Sequence, residues 1–275
     1  MSVSSELRDA LGTQHAPTQA EPRIVSLVPS LTELLCDLGL AGNLVGRSGF
    51  CIHPRATVTR IPKMGGTKDA DIERIRAAAP THLVVNIDEN RREQVDALAR
   101  IVPHVVVTHP NAPEDNLALF RLFGGIFRRE AEAQRLAADF RAAREALRRA
   151  TQDLPRSRVL YLIWKDPWMS VARDTYISAM LAAAGWDTLP ERSEARYPVV
   201  DAVPGRPIFA ERVLLSTEPY RFAERHLAEA AARFGAPAQL VDGEMRSWYG
   251  SRAAAGLRYL ARLRQDEASS ARSRG

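Results

Sequence analysis

Arg23-Ile-Val-Ser-Leu-Val-Pro-Ser-Leu-Thr-Glu33 contains an apolar run, a proline and a helix-opening pattern in immediate succession. Ile24 to Val28 is short and apolar, as a buried strand requires. Pro29 ends it, and Ser30 with Glu33 has the spacing of a capping box, opening a helix that runs to Gly39. Strand, turn and helix in this order begin a parallel α/β sheet.

The same alternation continues outward. A strand is expected at Leu44 to Gly46, then an irregular loop from Arg47 to Gly66 that is long enough to be functional. A helix over 71–79, a strand over 83–86, a second capping box at Asn90 and Glu93, a helix over 91–99 and a strand over 105–108 complete a first lobe, 23–112. From 114 to 150, Leu117, Phe120, Phe123, Phe127, Leu136, Phe140, Ala143 and Leu147 keep helical spacing. One linking helix is therefore expected over 113–152, with Gly124 and Gly125 marking close packing or a bend. The pattern then repeats in outline over a second lobe, 153–264. Its strands are expected at 159–163, 213–216 and 239–241, and its helices at 176–184, 224–234 and 253–263. Flexible ends are expected at 1–22 and 265–275. The fold class is α/β, two lobes with mainly parallel sheets, a ligand cleft between them and one long helix as bridge.

The chain has 275 residues, 45% of them hydrophobic and 26% charged, which is ordinary globular composition. Its net charge of +5 comes from arginines scattered along helices, with only Lys63, Lys68 and Lys165 as lysines. No basic stretch is interleaved with stacking aromatics, which argues against nucleic acid. No apolar run reaches the length of a membrane span. The segment Met1 to Pro22 has no signal-peptide pattern, so the sequence as written is expected in the cytosol. Cys36 and Cys51 fit no metal-ligand spacing and can be either two free thiols or one bridge.

In open parallel sheets, ligands bind beyond the carboxyl ends of the strands. The loops at those ends hold the candidate residues. In the second lobe these are Trp164, Trp168, Met169, Glu218, Tyr220, Trp248 and Tyr249. Three loop tryptophans at equivalent strand ends suggest a flat aromatic platform. In the first lobe they are Pro29, Ser30, Phe50, His53, Gly66, Thr67 and Glu89, the glycines allowing close backbone approach. His53 is the one histidine placed to reach a metal carried by a ligand. Asp88, Glu89 and Glu218 could serve acid–base chemistry but read more simply as polar anchors. There is no nucleophile elbow, phosphate-cradling loop or paired-histidine motif, so no catalytic residue is assigned.

Arg23 to Glu33, Gly65-Gly-Thr-Lys68, Asp71-Ile-Glu-Arg-Ile75 and Pro80 resemble the cobalamin and iron-chelate substrate-binding proteins of ABC importers. The resemblance extends from about Arg23 to Leu263 and includes Trp164 to Tyr176 and Asp242 to Arg252. It implies a monomeric receptor of the helical-backbone class in the periplasm, with no intrinsic cofactor. Its ligand would be cobalamin, haem or a ferric chelate, and its partner an ABC permease. Glu73 takes the position of the first-lobe docking acid. The second-lobe acid is missing, Val203 and Pro204 standing near its place. A cytosolic binding or sensing protein on the same scaffold, and an enzyme acting on a metal tetrapyrrole through His53 or Glu89, are the alternatives.

Overall fold

The computed structural model describes residues 7–200 and 209–272. The chain divides into two compact units, the first comprising Met1–Pro110, Glu114–Asp139 and Tyr249–Arg252, and the second Asn111–Pro113, Phe140–Trp248 and Ala253–Gly275.

Unit 1 contains β1 (Ile24–Ser26), α1 (Pro29–Asp37), β2 (Leu44–Arg47), α2 (Arg55–Val58), α3 (Ile72–Ala77), β3 (His82–Asn86), α4 (Arg92–Leu98), β4 (His104–Thr108) and α5 (Asp115–Phe127). Its four strands are all parallel, in the order β2-β1-β3-β4. β1 and β3 are buried along their whole length, which is why their sequences are dominated by Ile24, Val25, Leu83, Val84 and Val85. Val25, Leu27, Leu83, Val85 and Val107 pack against Met64, Ile75, Leu98 and Val102 as one core.

Neither expected capping box forms. The N-cap of α1 is Val28, without a side-chain bond, and Pro29 occupies the first turn, where a missing N–H costs nothing. Asn90 precedes the N-cap Arg91 and instead ties loops together: its Oδ1 accepts from Asn86 N at 2.9 Å and its Nδ2 donates to Thr67 O at 2.8 Å. The side chain that does cap a helix here is Asp71, which accepts from Arg74 N at the start of α3.

The long helix expected over 113–152 is two helices. α5 ends at Arg128, which sits in the left-handed region (φ 53°), and Arg129 N closes the turn onto Gly124 O at 2.7 Å. α6 (Glu130–Thr151) then begins, and the boundary between the units falls within it, after Asp139. Gly124 and Gly125 serve close packing. A Cβ at Gly124 would come within 2.6 Å of Ala133 Cβ, and one at Gly125 would overlap Leu7.

That contact also corrects the expected flexible N-terminus, which is packed from Leu7 onward. Ala10 N donates to Val107 O and Val107 N to Asp9 Oδ2, so this segment pairs with the free edge of β4. Asp9 is buried and also accepts from Leu11 N, from Thr13 N and, in the pair with His15 Nε2, at 3.2 Å.

His82 opens β3 below this segment. It stacks on His104 at 4.8 Å and meets Phe127 edge-on at 5.2 Å. Burial first, then the neighbouring His104 and His15, push its pKa down to about 4 from 6.5. Between those two values the unfolded chain binds more protons than the folded one. The stability His82 contributes is therefore complete above pH 6.5 and lost as pH falls towards 4. Melting curves at pH 7.5 and 5 should show a smaller acid-induced drop for His82→Asn than for the unaltered protein; equal drops would show that His82 does not govern this range.

Unit 2 contains β5 (Ser157–Leu162), α7 (Tyr176–Ala183), β6 (Trp186–Leu189), β7 (Arg212–Ser216), α8 (Leu227–Phe234), β8 (Ala238–Val241), α9 (Glu244–Ser247) and α10 (Ala253–Arg272). The parallel strand order β6-β5-β7-β8 repeats the topology of unit 1. β6 has no counterpart in the sequence reading, and α10 continues past the expected end at Leu263. Val203 and Pro204 lie outside the described residues. No described helix is long and apolar enough to cross a membrane.

Candidate functional site

The loops at the carboxyl ends of each sheet hold the candidate residues, and in each unit an apolar surface stands beside a set of committed polar groups.

In unit 1 the loop after β2 exposes Phe50 (63%) and Ile52 (49%), and the loop after β3 exposes Ile87 (43%). Between Phe50 and Ile52, Cys51 turns inward to Thr32 and Ser48. The loop is held from behind: Gly49 N donates to Gly65 O at 2.7 Å and Gly66 N to Asp69 O. Gly65 has φ +87°, and a Cβ at Gly66 would touch the Phe50 ring at 3.4 Å. The glycines thus allow the tight backbone turns behind Phe50, and Thr67 contributes its carbonyl to Asn90. His53 follows the apolar pair at intermediate exposure.

Pro29 and Ser30 open α1 beside these loops, Ser30 being buried. Tyr249, buried, donates its hydroxyl to Glu89 Oε1 at 2.6 Å. Burial and then the Glu89 charge push the Tyr249 pKa well up, so the phenol keeps its proton and remains the donor. Gly250 N binds Asn116 Oδ1 at 2.6 Å, and Arg252 grips Glu33 through two bonds of 2.8 and 2.6 Å. The segment 249–252 is thereby an integral part of unit 1. Asp88 receives Lys68 Nζ on its carbonyl at 2.6 Å, and its carboxylate faces His109 at 3.5 Å.

In unit 2 the expected three-tryptophan platform does not form as such. Trp164 is 41% exposed, whereas Trp168 and Trp248 are buried. Trp168 stacks on Phe222 at 5.8 Å and meets Phe234 edge-on at 5.7 Å, inside the core built on Leu160, Leu162, Val213 and Leu215. The chain doubles back between Trp164 and Met169, which pair as an antiparallel bridge, and this turns Trp168 inward. Trp248 donates Nε1 to Glu218 Oε1 at 2.9 Å, beside Ser247 Oγ at 2.6 Å. Burial raises the Glu218 pKa despite those two donors, as do Glu244 and Asp242 nearby. Glu218 fastens α9 to the end of β7.

Of these, unit 2 presents Trp164 outward; its ring lies 5.6 Å from that of Tyr220 and nearly perpendicular to it, Tyr220 being half-buried against the core. Two further exposed side chains of unit 2 escaped the sequence reading. Residues 196–200 run antiparallel to 168–172, with bonds from Ala172 N to Arg196 O, Ser170 N to Pro198 O and Val200 N to Trp168 O. Side chains alternate along such a segment, so Pro198 and Val200 face in while Tyr197 (37%) and Val199 (54%) face out.

Among the described residues no group of three or more His, Cys, Asp or Glu could hold a metal ion. The three carboxylates weighed for acid–base work have partners: Glu89 is held by Tyr249 and Glu218 by Ser247 and Trp248, while Asp88 faces His109 at 3.5 Å. Parallel α/β units whose carboxyl-end loops expose aromatic and aliphatic side chains are those of a small-molecule-binding protein. The chain belongs to the periplasmic binding protein family, whose model matches residues 24–202. It is 22% identical over 217 residues to the vitamin B12-binding protein of Vibrio vulnificus (strain CMCP6), covering 79% of this chain and 75% of that one. Among solved structures it is similar to the periplasmic vitamin B12 binding protein of Vibrio cholerae, with TM-score 0.75, 17% identity and coverage of 89% of this chain and 98% of that one. A periplasmic heme-binding protein from Roseiflexus sp. RS-1 gives TM-score 0.73, 21% identity and coverage of 90% and 99%.

Proposed function

We propose that this protein binds a corrinoid or an iron chelate, of the cobalamin, haem or ferric-chelate kind, and delivers it in the periplasm to an ABC permease. The observation that carries the reading is the exposed indole of Trp164 in unit 2, edge-on to the half-buried Tyr220, with Tyr197 and Val199 also exposed in the same unit. Large flat chelates have extended apolar faces, and rigid aromatic side chains cover them at low entropic cost. Phe50 and Ile52 in unit 1 are of the same chemistry. The names of the relatives supply the ligand class. His53 would be the one side chain to approach a metal carried by the ligand.

Glu73 would meet the permease. It lies in the first turn of α3 with its side chain 80% exposed, paired only loosely with Arg76 at 3.4 Å. A carboxylate held out in this way is available to a basic partner. Two measurements test the proposal. Size-exclusion chromatography with cyanocobalamin, cobinamide, haem and a ferric hydroxamate should show one of them co-eluting with the protein. Glu73→Lys should then cut permease-driven uptake in proteoliposomes about tenfold or more, the scale of a lost charge pair, with ligand affinity unchanged. Unchanged uptake would remove Glu73 from docking, and failure of every ligand to co-elute would remove the ligand class.

A further inference from the structure

The turn between α5 and α6 places Arg128 and Arg129 along a groove of about 370 Å³ in unit 1. They share it with residues that lead into two strands, Glu21 before β1 and Leu40 and Asn43 before β2. In a parallel sheet those positions lie at the amino end, away from the carboxyl-end loops that hold the candidate ligand surface. Consecutive residues of a helix point about 100° apart. The left-handed Arg128 breaks the helix between the two arginines, and both side chains line the same groove.

The charges in this groove are unequal. Glu21 is its single carboxylate, and that carboxylate receives Asn43 Nδ2 at 3.3 Å, which also donates to Pro22 O at 3.0 Å. The two guanidiniums bond to carbonyls instead: Arg128 Nε donates to Thr18 O at 2.6 Å and Arg129 Nη1 to Arg128 O at 3.2 Å. Thr18 N in turn donates to Ile126 O at 2.8 Å, so the wall that receives Arg128 is itself fixed. A guanidinium carries five N–H donors. Each arginine therefore keeps most of its fork, and its charge, for a further acceptor.

We propose that this groove binds a phosphate monoester, with Arg128 and Arg129 holding its oxygens. Planar guanidinium forks pair with phosphate oxygens two at a time, and such charge-assisted bonds are about twice as strong as neutral ones. The groove has room beyond the phosphate for a small ester group against the buried Leu40 and Phe127. A soluble phosphorylated molecule and a lipid headgroup offer the same chemistry. The inference stands on unit 1 alone and is independent of the corrinoid or chelate reading.

The test is isothermal titration at pH 8 with inorganic phosphate and with glycerol 3-phosphate, beside co-sedimentation with phosphatidylcholine vesicles that contain or lack phosphatidic acid. Saturable binding of a soluble probe is expected, with Kd about 1 mM or tighter. Arg129→Gln and Arg128→Asn, the latter chosen because asparagine accepts left-handed backbone, should each weaken it about tenfold or more. Arg92→Gln removes an exposed cation of α4 outside the groove and should leave the affinity unchanged. Circular dichroism checks that each variant is folded, and Arg129→Gln gives up only a bond to the adjacent carbonyl. Co-sedimentation only with phosphatidic acid, lost in the two groove variants, would assign the phosphate to a lipid headgroup. Failure of all three probes to bind, affinity unchanged in Arg129→Gln, or equal weakening in Arg129→Gln and Arg92→Gln would each overturn the proposal.

Discussion

Replacing Gly65 with alanine should lower the unfolding midpoint by roughly 6–12 °C, about 3 kcal/mol for a chain of this size. Gly65 holds φ +87°, a region costly for any residue with a Cβ. The added methyl would also overlap Asp69 O and come within 2.8 Å of Asp71 N, both backbone atoms that cannot rotate away. Its carbonyl receives Gly49 N, so the strain passes into the loop bearing Phe50 and Ile52. Differential scanning calorimetry reads the effect directly. A shift below a degree or two would mean that the turn relaxes freely, and Gly65 would lose its part in shaping the wall.

Trp164→Ala should weaken ligand binding about 10- to 100-fold, the equivalent of burying most of one indole face. The same change should leave the unfolding midpoint within about a degree, since the side chain is already 41% exposed and lies outside the core of unit 2. Trp168→Ala makes the opposite pattern. Removing an indole packed against Phe222 and Phe234 costs about 3–5 kcal/mol of stability before any question of binding arises. Isothermal titration paired with thermal melts separates the two roles. Equal affinity of Trp164→Ala and the unaltered protein would remove Trp164 from the site.

The contrast between these tryptophans marks the limit of what could be read from the chain. Loop position is visible in sequence, because Ile163 ends an apolar run and Pro167 interrupts regular structure. The direction of each indole is not, because it depends on the chain doubling back between Trp164 and Met169. Tyr197 and Val199 went unmarked for a related reason. Their outward face follows from pairing with residues 168–172, a contact between segments that periodicity alone does not announce.

The sheets themselves were legible because β1, β3, β5 and β7 each have a buried apolar run, residues 24–25, 83–85, 159–162 and 213–215. β6, four residues opening on Trp186 and holding Asp187, carries no such run. The break after α5 was missed for a physical reason. Paired glycines weaken a helix, yet here they accept Ala133 and Leu7, and the turn is made by Arg128, whose side chain type gives no hint of a left-handed conformation. Glu33 was read as half of a capping box, but its carboxylate belongs to Arg252, more than two hundred residues away.

The account rests on a ligand meeting the exposed aromatic surface of unit 2, and a tryptophan-fluorescence titration tests that most directly. The purified protein is titrated with cyanocobalamin, cobinamide, haem and a ferric hydroxamate, with inner-filter correction, beside Trp164→Phe as the control. Saturable quenching by one ligand with Kd at or below about 1 μM, worth about −8 kcal/mol, with most of the amplitude lost in Trp164→Phe, is the expected result. A folded protein whose emission responds to none of them, or quenching that persists undiminished in Trp164→Phe, would contradict it.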